Sequence, residues 1–475
     1  MSVHPPVDVR VPAGVTYREV VVLAYPVVFS MVAQTVMGLV DTLFMGWVST
    51  AAQGAVGLGS IVVWSYSSFF LGTLTVINTF VAQYFGVAKS VVESGDPRGN
   101  ELFHRCGESA WHGLLVAASF SCVLLAGVPL LGRVVSVFGP PKEVEKIAIS
   151  YARIRIFGSS FRCFEMTITN FMRGIGDTQT PMRVALVAVL LNIPLNYWLI
   201  FGGLGVPPLG PDGAAWATVI ATGIGVVALF LLFLRRKMRE QYGTGWPARF
   251  ELQQVRELLK VGLPIGTTWV LEMAIWALFT GLISRFGEES LAAHNIVLQV
   301  LHLSFMPGLA IGIAATTLVG QALGAQDPTV AHRRAYASIR IGIVFMALMG
   351  LVYLLLGKQI AGVFSSDSGV IQIAKSLFLW AAAFQVFDAM AMTSSGVLRG
   401  AGDTRWPMYA SVLSAWLVFA PLIWLFGFKL QGGVFGAWGA AATYLGGLGV
   451  VLFMRVRRGK WQSMSVIGKT TVAPS

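Results

Sequence analysis

The chain has 475 residues, of which 55% are hydrophobic and only 12% are charged, and its mean hydropathy is +0.71. Soluble domains carry roughly 25% charged residues, so this composition excludes an ordinary soluble enzyme and predicts an integral membrane protein. The formal net charge of +12 raises nucleic-acid binding as an alternative, but the basic residues are spread over many short loops and form no single patch.

Twelve apolar runs follow one another, each long enough to supply the roughly 20 residues that a spanning helix needs. They lie at about 20–48, 54–83, 107–132, 147–171, 182–202 and 213–234, and then at about 260–284, 291–323, 336–357, 370–398, 407–428 and 433–454. Segments of about 10 residues with alternating polarity, which mark transmembrane strands, are not found. The sequence therefore predicts an all-α protein with twelve transmembrane helices.

Lys and Arg accumulate in short loops on the cytoplasmic side of a membrane. With both termini inside, the inner segments hold 24 of the 34 Lys and Arg residues and the outer loops hold 6. This distribution predicts a multi-pass protein of the cell membrane, the inner membrane of a bacterium, with both termini in the cytoplasm. The polar start "MSVHPPVDVRVPAGVTYREV" has no basic segment leading into a short apolar core, so no signal peptide is expected.

The first helix carries a carboxylate on an otherwise uncharged face. Gln34, Met37, Asp41 and Phe44 share this face by helical spacing. A charge at the bilayer centre costs several kcal/mol, so such residues usually face a cavity and carry ions or substrate. We expect Asp41 to take part in cation coupling and Gln34 and Met37 to line a substrate cavity.

The fourth helix holds Arg162 one turn before Glu165. Because the two side chains can neutralise each other, a structural role is favoured for Glu165. After the sixth helix, residues 235–260 are polar and strongly charged. This segment is interpreted as a solvated cytoplasmic linker.

The seventh and tenth helices hold the other two buried acids. Glu272 shares its face with Trp269 and Trp276, whose aromatic rings can hold an organic cation beside the carboxylate. Asp388 aligns with Gln385 and Ser395, which offer the neutral oxygen ligands that a hard cation prefers. We therefore predict a cation site at Glu272 and Asp388, with Na⁺ as a hypothesis, and place Trp269, Trp276 and Gln385 in the substrate cavity.

The two halves of the chain repeat each other. "FMRGIGDTQTPM" (171–182) returns 226 residues later as "VLRGAGDTRWPM" (397–408), while "VAQYFG" (81–86) and "AYP" (24–26) return 238 residues later as "VGQALG" and "GLP". These offsets predict a duplicated, parallel pair of six-helix lobes, with boundaries at 1–234 for the N-terminal lobe, 235–260 for the linker and 261–475 for the C-terminal lobe and its basic tail. Within the repeated motif, Asp177 or Thr178, and Asp403 or Thr404, are expected to cap the helix that follows.

The two acids of the C-terminal lobe have no acidic counterparts at the equivalent positions of the N-terminal lobe. At these offsets, Glu272 corresponds to Gln34, and Asp388 corresponds to Arg162. Two carboxylates therefore remain only in the C-terminal lobe, which predicts that ion coupling resides there.

No complete sequence motif of a known enzyme class is found along the chain. The tail "SMSVIGKT" (463–470) resembles a phosphate-binding loop but has Ser463 where the motif needs glycine, and no catalytic histidine or serine pattern is found. The chain is predicted to be no enzyme and to need no cofactor. Energy for transport would come from an ion gradient.

Several motifs together carry a resemblance to a known family. They are "GLVDTLFMGWV" (38–48), "NIPLNY" (192–197), "GLPIGTTWVLE" (262–272), "VGQALGA" (319–325) and "FDAMAMTSSGVLRGAGDT" (387–404). With them the chain resembles the multidrug and toxic compound extrusion (MATE) family along essentially its whole length, and its NorM-like branch in particular.

The resemblance implies two lobes arranged as a V, alternating access, and export of cationic amphipathic drugs in exchange for Na⁺ or H⁺. By motif, Asp41, Glu272 and Asp388 match the family's acids, and Asn192 with Asn196 match the polar pair of the fifth helix, expected in the substrate cavity. Proton-coupled archaeal-type members have an aspartate near the position of Asn196, so a proton relay confined to the N-terminal lobe is not expected here. The expected partners are cationic drugs and membrane lipids, without nucleic acid, and the expected state is a monomer.

Two other function classes stay open. A lipid-linked oligosaccharide flippase of the same superfamily would need several basic residues for a diphosphate, and only Arg153, Arg155 and Arg162 on one helix could serve. A membrane-embedded enzyme would need a catalytic constellation. Drug accumulation in efflux-deficient cells distinguishes the transporter from both.

Overall fold

A computed structural model describes residues 13–96, 98–203, 205–245 and 250–467. Within these ranges the chain is helical, and the β-structure consists of one isolated bridge between Gly203 and Val206. Long helices follow the order of the predicted apolar runs, which confirms the all-α membrane fold.

The N-terminal half contains six long helices. They are α1 (Ala13–Val48), α2 (Thr50–Glu93, with a break between Leu74 and Ile77), α3 (Gly99–Ala126), α4 (Lys142–Gly174), α5 (Gln179–Phe201) and α6 (Pro211–Phe233). The other half contains α7 (Leu252–Ile283), α8 (Glu288–Gly324), α9 (Pro328–Phe364), α10 (Ser368–Ala401), α11 (Arg405–Lys429, with two π-helical stretches) and α12 (Gly433–Arg457).

Helix α4 differs from the other eleven in its charge. Eleven helices of the described chain are long and apolar enough to cross a membrane. Helix α4 has 33 residues, which is long enough, but it carries Arg153, Arg155, Arg162 and Glu165. It packs against α2, α3 and α6, so much of this polar helix is covered by protein. The twelve-helix prediction is confirmed, with α4 as the span that is not hydrophobic throughout.

The duplication appears in local structure as well as in sequence. Helix α4 begins at Lys142 and α10 begins at Ser368, which reproduces the spacing between the repeated motifs. Helices α1 and α7 each contain an internal proline, at Pro26 and Pro264. One turn later, the Ser30 and Thr268 hydroxyls each donate to the carbonyl of that proline at 2.8 Å.

The segment between the lobes is partly helical. A short helix spans Arg236–Tyr242, and α7 begins at Leu252, inside the range predicted as linker. Residues 246–249 lie outside the described chain, and so do residues 468–470 of the phosphate-loop-like tail. The lobe boundaries stay a prediction.

The lobes meet at the end of the bundle where α1 begins and α12 ends, which we call the basic end. There the Gln83 amide donates to the Gly400 carbonyl, and the Gln321 amide donates to the Gly174 carbonyl, both at 2.9 Å. These two bonds are related by the duplication. A Cβ added to Gly86 would lie 2.0 Å from the Gln321 carbonyl oxygen, so the backbones of α2 and α8 touch. The basic end is therefore closed.

The buried clusters that both lobes share lie toward the basic end. The mixed buried clusters join the first half of α1 to the second half of α8, and α2 to the first half of α7. Toward the opposite end, the clusters around Phe44 and around Phe279 are each formed by one lobe. We infer from these separate clusters that the two lobes diverge in that direction, with a cleft between them.

Candidate functional site

Asp41 lies near the far end of α1 within a buried polar cluster of the N-terminal lobe. Its Oδ1 accepts a hydrogen bond from Asn196 Nδ2 at 2.6 Å, and its Oδ2 accepts one from Thr218 Oγ1 at 2.9 Å. Asn196 Nδ2 also donates to Asn192 Oδ1 at 2.9 Å, and Asn192 Nδ2 donates to Thr218 Oγ1 at 3.3 Å. Helices α1, α5 and α6 thus supply one connected network.

The network is sealed and rich in oxygen. Asp41 is 4% exposed, and both asparagines are fully buried. Asn196 Oδ1 is buried and has no hydrogen-bond partner, which leaves an acceptor that a small cation could use. Sodium prefers such carboxylate, amide and hydroxyl oxygens. No group of three or more His, Cys, Asp or Glu side chains that could hold a metal occurs in the described ranges.

Thr218 was missed by sequence reasoning. Its only signal is a hydroxyl within the apolar run "AWATVIATG" (215–223), and threonines in such runs commonly bond to their own helix. Thr218 Oγ1 also lies 3.2 Å from the Ala214 carbonyl oxygen, which is the alternative acceptor for its single proton. Its contact with Asp41 depends on how α6 packs against α1, which the sequence pattern does not specify.

Arg155 on α4 is the nearest basic group to Asp41 and attracts its carboxylate electrostatically. The guanidinium carbon lies 6.0 Å from the centre of the Tyr151 ring, and the Arg155 Nε atom is buried without a partner. The cluster therefore has one carboxylate with a cationic side chain nearby.

The second acidic site lies in the C-terminal lobe. Glu272 on α7 and Asp388 on α10 are both half-buried, and their charges are close enough to interact. Ser411 of α11 and Arg399 of α10 lie near Glu272, and the charge of Arg399 attracts its carboxylate. Both acids are less buried than Asp41, which is 4% exposed.

Aromatic rings surround part of this acidic site. Trp276 packs against Phe279 and Phe419, with ring centres 5.8 and 6.0 Å apart. Trp269 instead stacks on Trp64 of α2 at 6.3 Å, which places it where the two lobes meet. The predicted aromatic residues thus occupy two different surroundings.

The other predicted cavity residues are distributed over both lobes. Met37 is buried and packs beside Val189 of α5 and Ala221 of α6. Gln385 is buried, and its amide donates to Ser304 Oγ of α8 at 3.0 Å. Asn192 and Asn196 face Asp41 in the sealed network, as described above. Their roles toward substrate stay predictions.

Gln34 and Arg162 contact each other directly. Arg162 Nη2 donates to Gln34 Oε1 at 3.0 Å. Arg162 forms no ion pair with Glu165 or with any other carboxylate of the described residues. The expected ion pair between Arg162 and Glu165 is therefore not formed. The hydrogen-bond partner of Arg162 is instead the neutral amide of Gln34.

The repeated motif is structural in two different ways. Asp177 accepts hydrogen bonds from the backbone amide and the hydroxyl of Thr180, which confirms the predicted cap. The predicted cap in the second copy is wrong. Asp403 forms an ion pair with Arg455 of α12 at 2.9 Å, and the Thr404 hydroxyl donates to the Val261 carbonyl. The nearby Arg455 outcompetes backbone amides because both partners are charged.

Comparisons with known proteins agree with this architecture. A family model described as MatE matches residues 26–198 and 264–425. The chain is 28% identical to a protein called probable multidrug resistance protein NorM from Mannheimia succiniciproducens, over 94% of each chain. It is 31% identical to multidrug resistance protein PmpM of Pseudomonas aeruginosa, over 93% of this chain and 91% of that one. The crystal structure of a single-residue mutant of the Vibrio cholerae MATE transporter VcmN is similar with a TM-score of 0.82 at 20% identity, covering 95% of this chain and 99% of that one.

Proposed function

The chain belongs to the MatE family, and from that premise we propose that it is a secondary active transporter that expels cationic amphipathic compounds in exchange for Na⁺ or H⁺. Relatives named as multidrug resistance proteins support this substrate class. The proposed location is the inner membrane of a bacterium, with the basic end in the cytoplasm. One chain contains both lobes and the cleft, so the proposed working unit is a monomer.

The observation that carries the proposal is the pair of acidic sites with different access. The Asp41 network is sealed and lined by small polar groups, so it has room for a small cation and none for a drug. Glu272 and Asp388 are half-buried, and Trp269 and Trp276 share the helix face of Glu272, so we place both a small cation and a cationic drug at this pair. A coupling cation and a cationic drug would therefore compete for the C-terminal pair, while the Asp41 network holds a second small cation.

Competition of this kind produces exchange. If the cation binds better when the cleft opens outward and the drug binds better when it opens inward, each ligand shifts the population toward the state that it prefers. Two neighbouring carboxylates repel each other unless a positive charge lies between them. The pair is thus occupied by one cation or the other during each passage across the membrane.

The proposal is tested by dye accumulation in efflux-deficient bacterial cells that express the chain. We expect lower accumulation of a permanently cationic dye than in cells without it, and equal accumulation of a neutral dye of similar size. Loss of this difference in Glu272→Gln, with normal protein levels, would support the acidic pair as the cation-recognising element. Equal accumulation of the cationic dye with and without the wild-type chain would contradict the proposed function.

A further inference from the structure

The duplication places opposite charges at equivalent positions of the two lobes. Gln34 and Glu272 are separated by the repeat offset of α1 and α7, and Arg162 and Asp388 by that of α4 and α10. In each lobe the two equivalent side chains interact with each other. The N-terminal pair carries one positive charge, and the C-terminal pair carries two carboxylates.

Arg162 is a cation without an anion. Its only hydrogen bond in the described chain goes to the neutral amide of Gln34, and a guanidinium has five N–H donors. Helices α1 and α4 are not close-packed neighbours, so this bond spans the space between them. Gln34 is exposed and Arg162 is half-buried. Intramembrane arginines cost several kcal/mol and typically face a cavity or pair with a ligand.

We propose that Arg162, positioned by Gln34, is an anion subsite on the N-terminal wall of the cleft. Its ligand is the carboxylate of a zwitterionic amphiphile whose amine binds at Glu272 and Asp388. A planar carboxylate matches the fork of donors on a guanidinium. The inference rests on the proposed transport function and adds a requirement for negative charge at the other end of the substrate.

The test compares two substrates with the same aromatic amine scaffold, one with a free carboxylate and one as its methyl ester. Transport is measured in vesicles containing purified protein. For the wild type we expect a preference for the carboxylate of about tenfold or more, as a charge-assisted hydrogen bond provides. Arg162→Gln should abolish this preference and leave ester transport intact. Arg153→Gln, an exposed arginine on the same helix, is the matched control and should keep the preference.

A second variant tests the same subsite in case Arg162→Gln does not fold. Gln34→Glu would place a carboxylate beside the Arg162 guanidinium and neutralise it, so the preference should again disappear. A preference that persists in Gln34→Glu and in any Arg162→Gln protein that transports ester overturns the subsite. Equal transport of both substrates by the wild type also overturns it. Ester transport by the wild type reports separately on the proposed cation export.

A second, independent observation concerns the segment after α12. Residues 461–467 leave the C-terminal lobe and reach Gln83 of the N-terminal lobe. The Ser465 hydroxyl and the Val466 backbone amide both donate to Gln83 Oε1 at 3.0 Å, while the Gln83 amide donates to the Gly400 carbonyl. Gln83 is fully buried, so one side chain forms three hydrogen bonds with the opposite lobe.

Apolar contacts hold the same segment in place. Trp461 and Ile467 are buried, and Val466 packs against a buried cluster formed mainly by the N-terminal lobe. A Cβ added to Gly402 would lie 2.3 Å from Val466 Cγ1, so the valine sits directly on the second repeated motif. Gln321, the repeat counterpart of Gln83, bonds to Gly174 and has no such segment on it among the described residues.

We infer that residues 461–467 form a latch that stabilises the state in which the lobes are closed at the basic end. The latch must detach whenever this end opens. Its removal should therefore raise the population of the open state, by about tenfold for the loss of two part-buried hydrogen bonds and the accompanying apolar contact.

The test uses spin labels at Lys89→Cys in the N-terminal lobe and His332→Cys in the C-terminal lobe, with the exposed Cys122 replaced by serine. Distances between the labels are measured by double electron–electron resonance in the full chain and after removal of residues 464–475. We expect a new, longer distance component after removal. Val466→Asp should do the same, whereas Ser463→Asp, a control residue that does not contact Gln83, should not. An unchanged distance distribution in both latch variants would refute the latch.

Discussion

Replacing Asp41 by asparagine keeps the shape of the side chain and removes its charge, so we expect a folded protein that no longer couples transport to a cation. Asp41 accepts two hydrogen bonds, from Asn196 at 2.6 Å and from Thr218 at 2.9 Å. Each weakens by about 1 kcal/mol when the acceptor becomes neutral. The new amide can donate to Thr218, whose own proton can go to the Ala214 carbonyl. Burying a neutral group also costs less than burying a charge, so the loss of unfolding free energy should stay below about 2 kcal/mol.

The effect on ion binding should be much larger. Two unit charges about 4 Å apart attract by about 4 kcal/mol at an effective dielectric constant of about 20, so Asp41→Asn should weaken cation binding by more than about a hundredfold. Cation affinity is measured by calorimetry on the purified protein, and drug efflux is measured in cells. Asp212→Asn is the matched control, because Asp212, like Asp41, accepts a hydroxyl hydrogen bond in the same lobe, in its case from Ser150. Normal efflux of several drugs by Asp41→Asn would refute the reasoning and reduce Asp41 to a packing residue.

Three further predictions follow from the same geometry. Glu272→Gln and Asp388→Asn should each abolish ion-stimulated dye release, with drug binding retained in at least one of them; retained stimulation in both would return attention to the N-terminal cluster. Gly324→Ala should shift the lobes apart at the basic end, because its Cβ would lie 2.0 Å from the Gln83 carbonyl oxygen, and should lower the melting temperature, whereas Gly38→Ala, with open space around it, should not. A cysteine at the exposed Gln253 should resist labelling by an impermeant reagent in intact cells, and efficient labelling there would contradict a cytoplasmic basic end.

Much of the fold could be predicted from the sequence because hydropathy and repetition act over many residues. The twelve runs predicted the helices in order, and the repeat offsets reappear as the starts of α4 and α10. Helix α4 shows the limit of hydropathy, since it packs against α2, α3 and α6 although its sequence is not hydrophobic throughout. The repeat offsets also identified Gln34 and Arg162 as counterparts of the C-terminal acids, although their direct contact needed the structure.

The site was less predictable because its contacts join distant helices. Thr218 carries no charge and resembles an ordinary helix threonine until α6 packs against Asp41. The position of Gly243, a natural choice for labelling the linker, has a positive φ of 63° and crowds His104, so a cysteine there would be strained. The polar tail showed no periodic pattern, and its attachment to Gln83 depends on backbone geometry.

The most direct test of cation-coupled export is dye release from vesicles that contain the purified protein. Vesicles are loaded with a cationic dye and given a pulse of Na⁺ or of acid on the outside, with choline at neutral pH as the control. We predict that one of the two pulses accelerates dye release by the wild type and leaves Asp41→Asn and Glu272→Gln vesicles at the control rate. Dye release by the wild type at the same rate with and without either pulse would contradict the account.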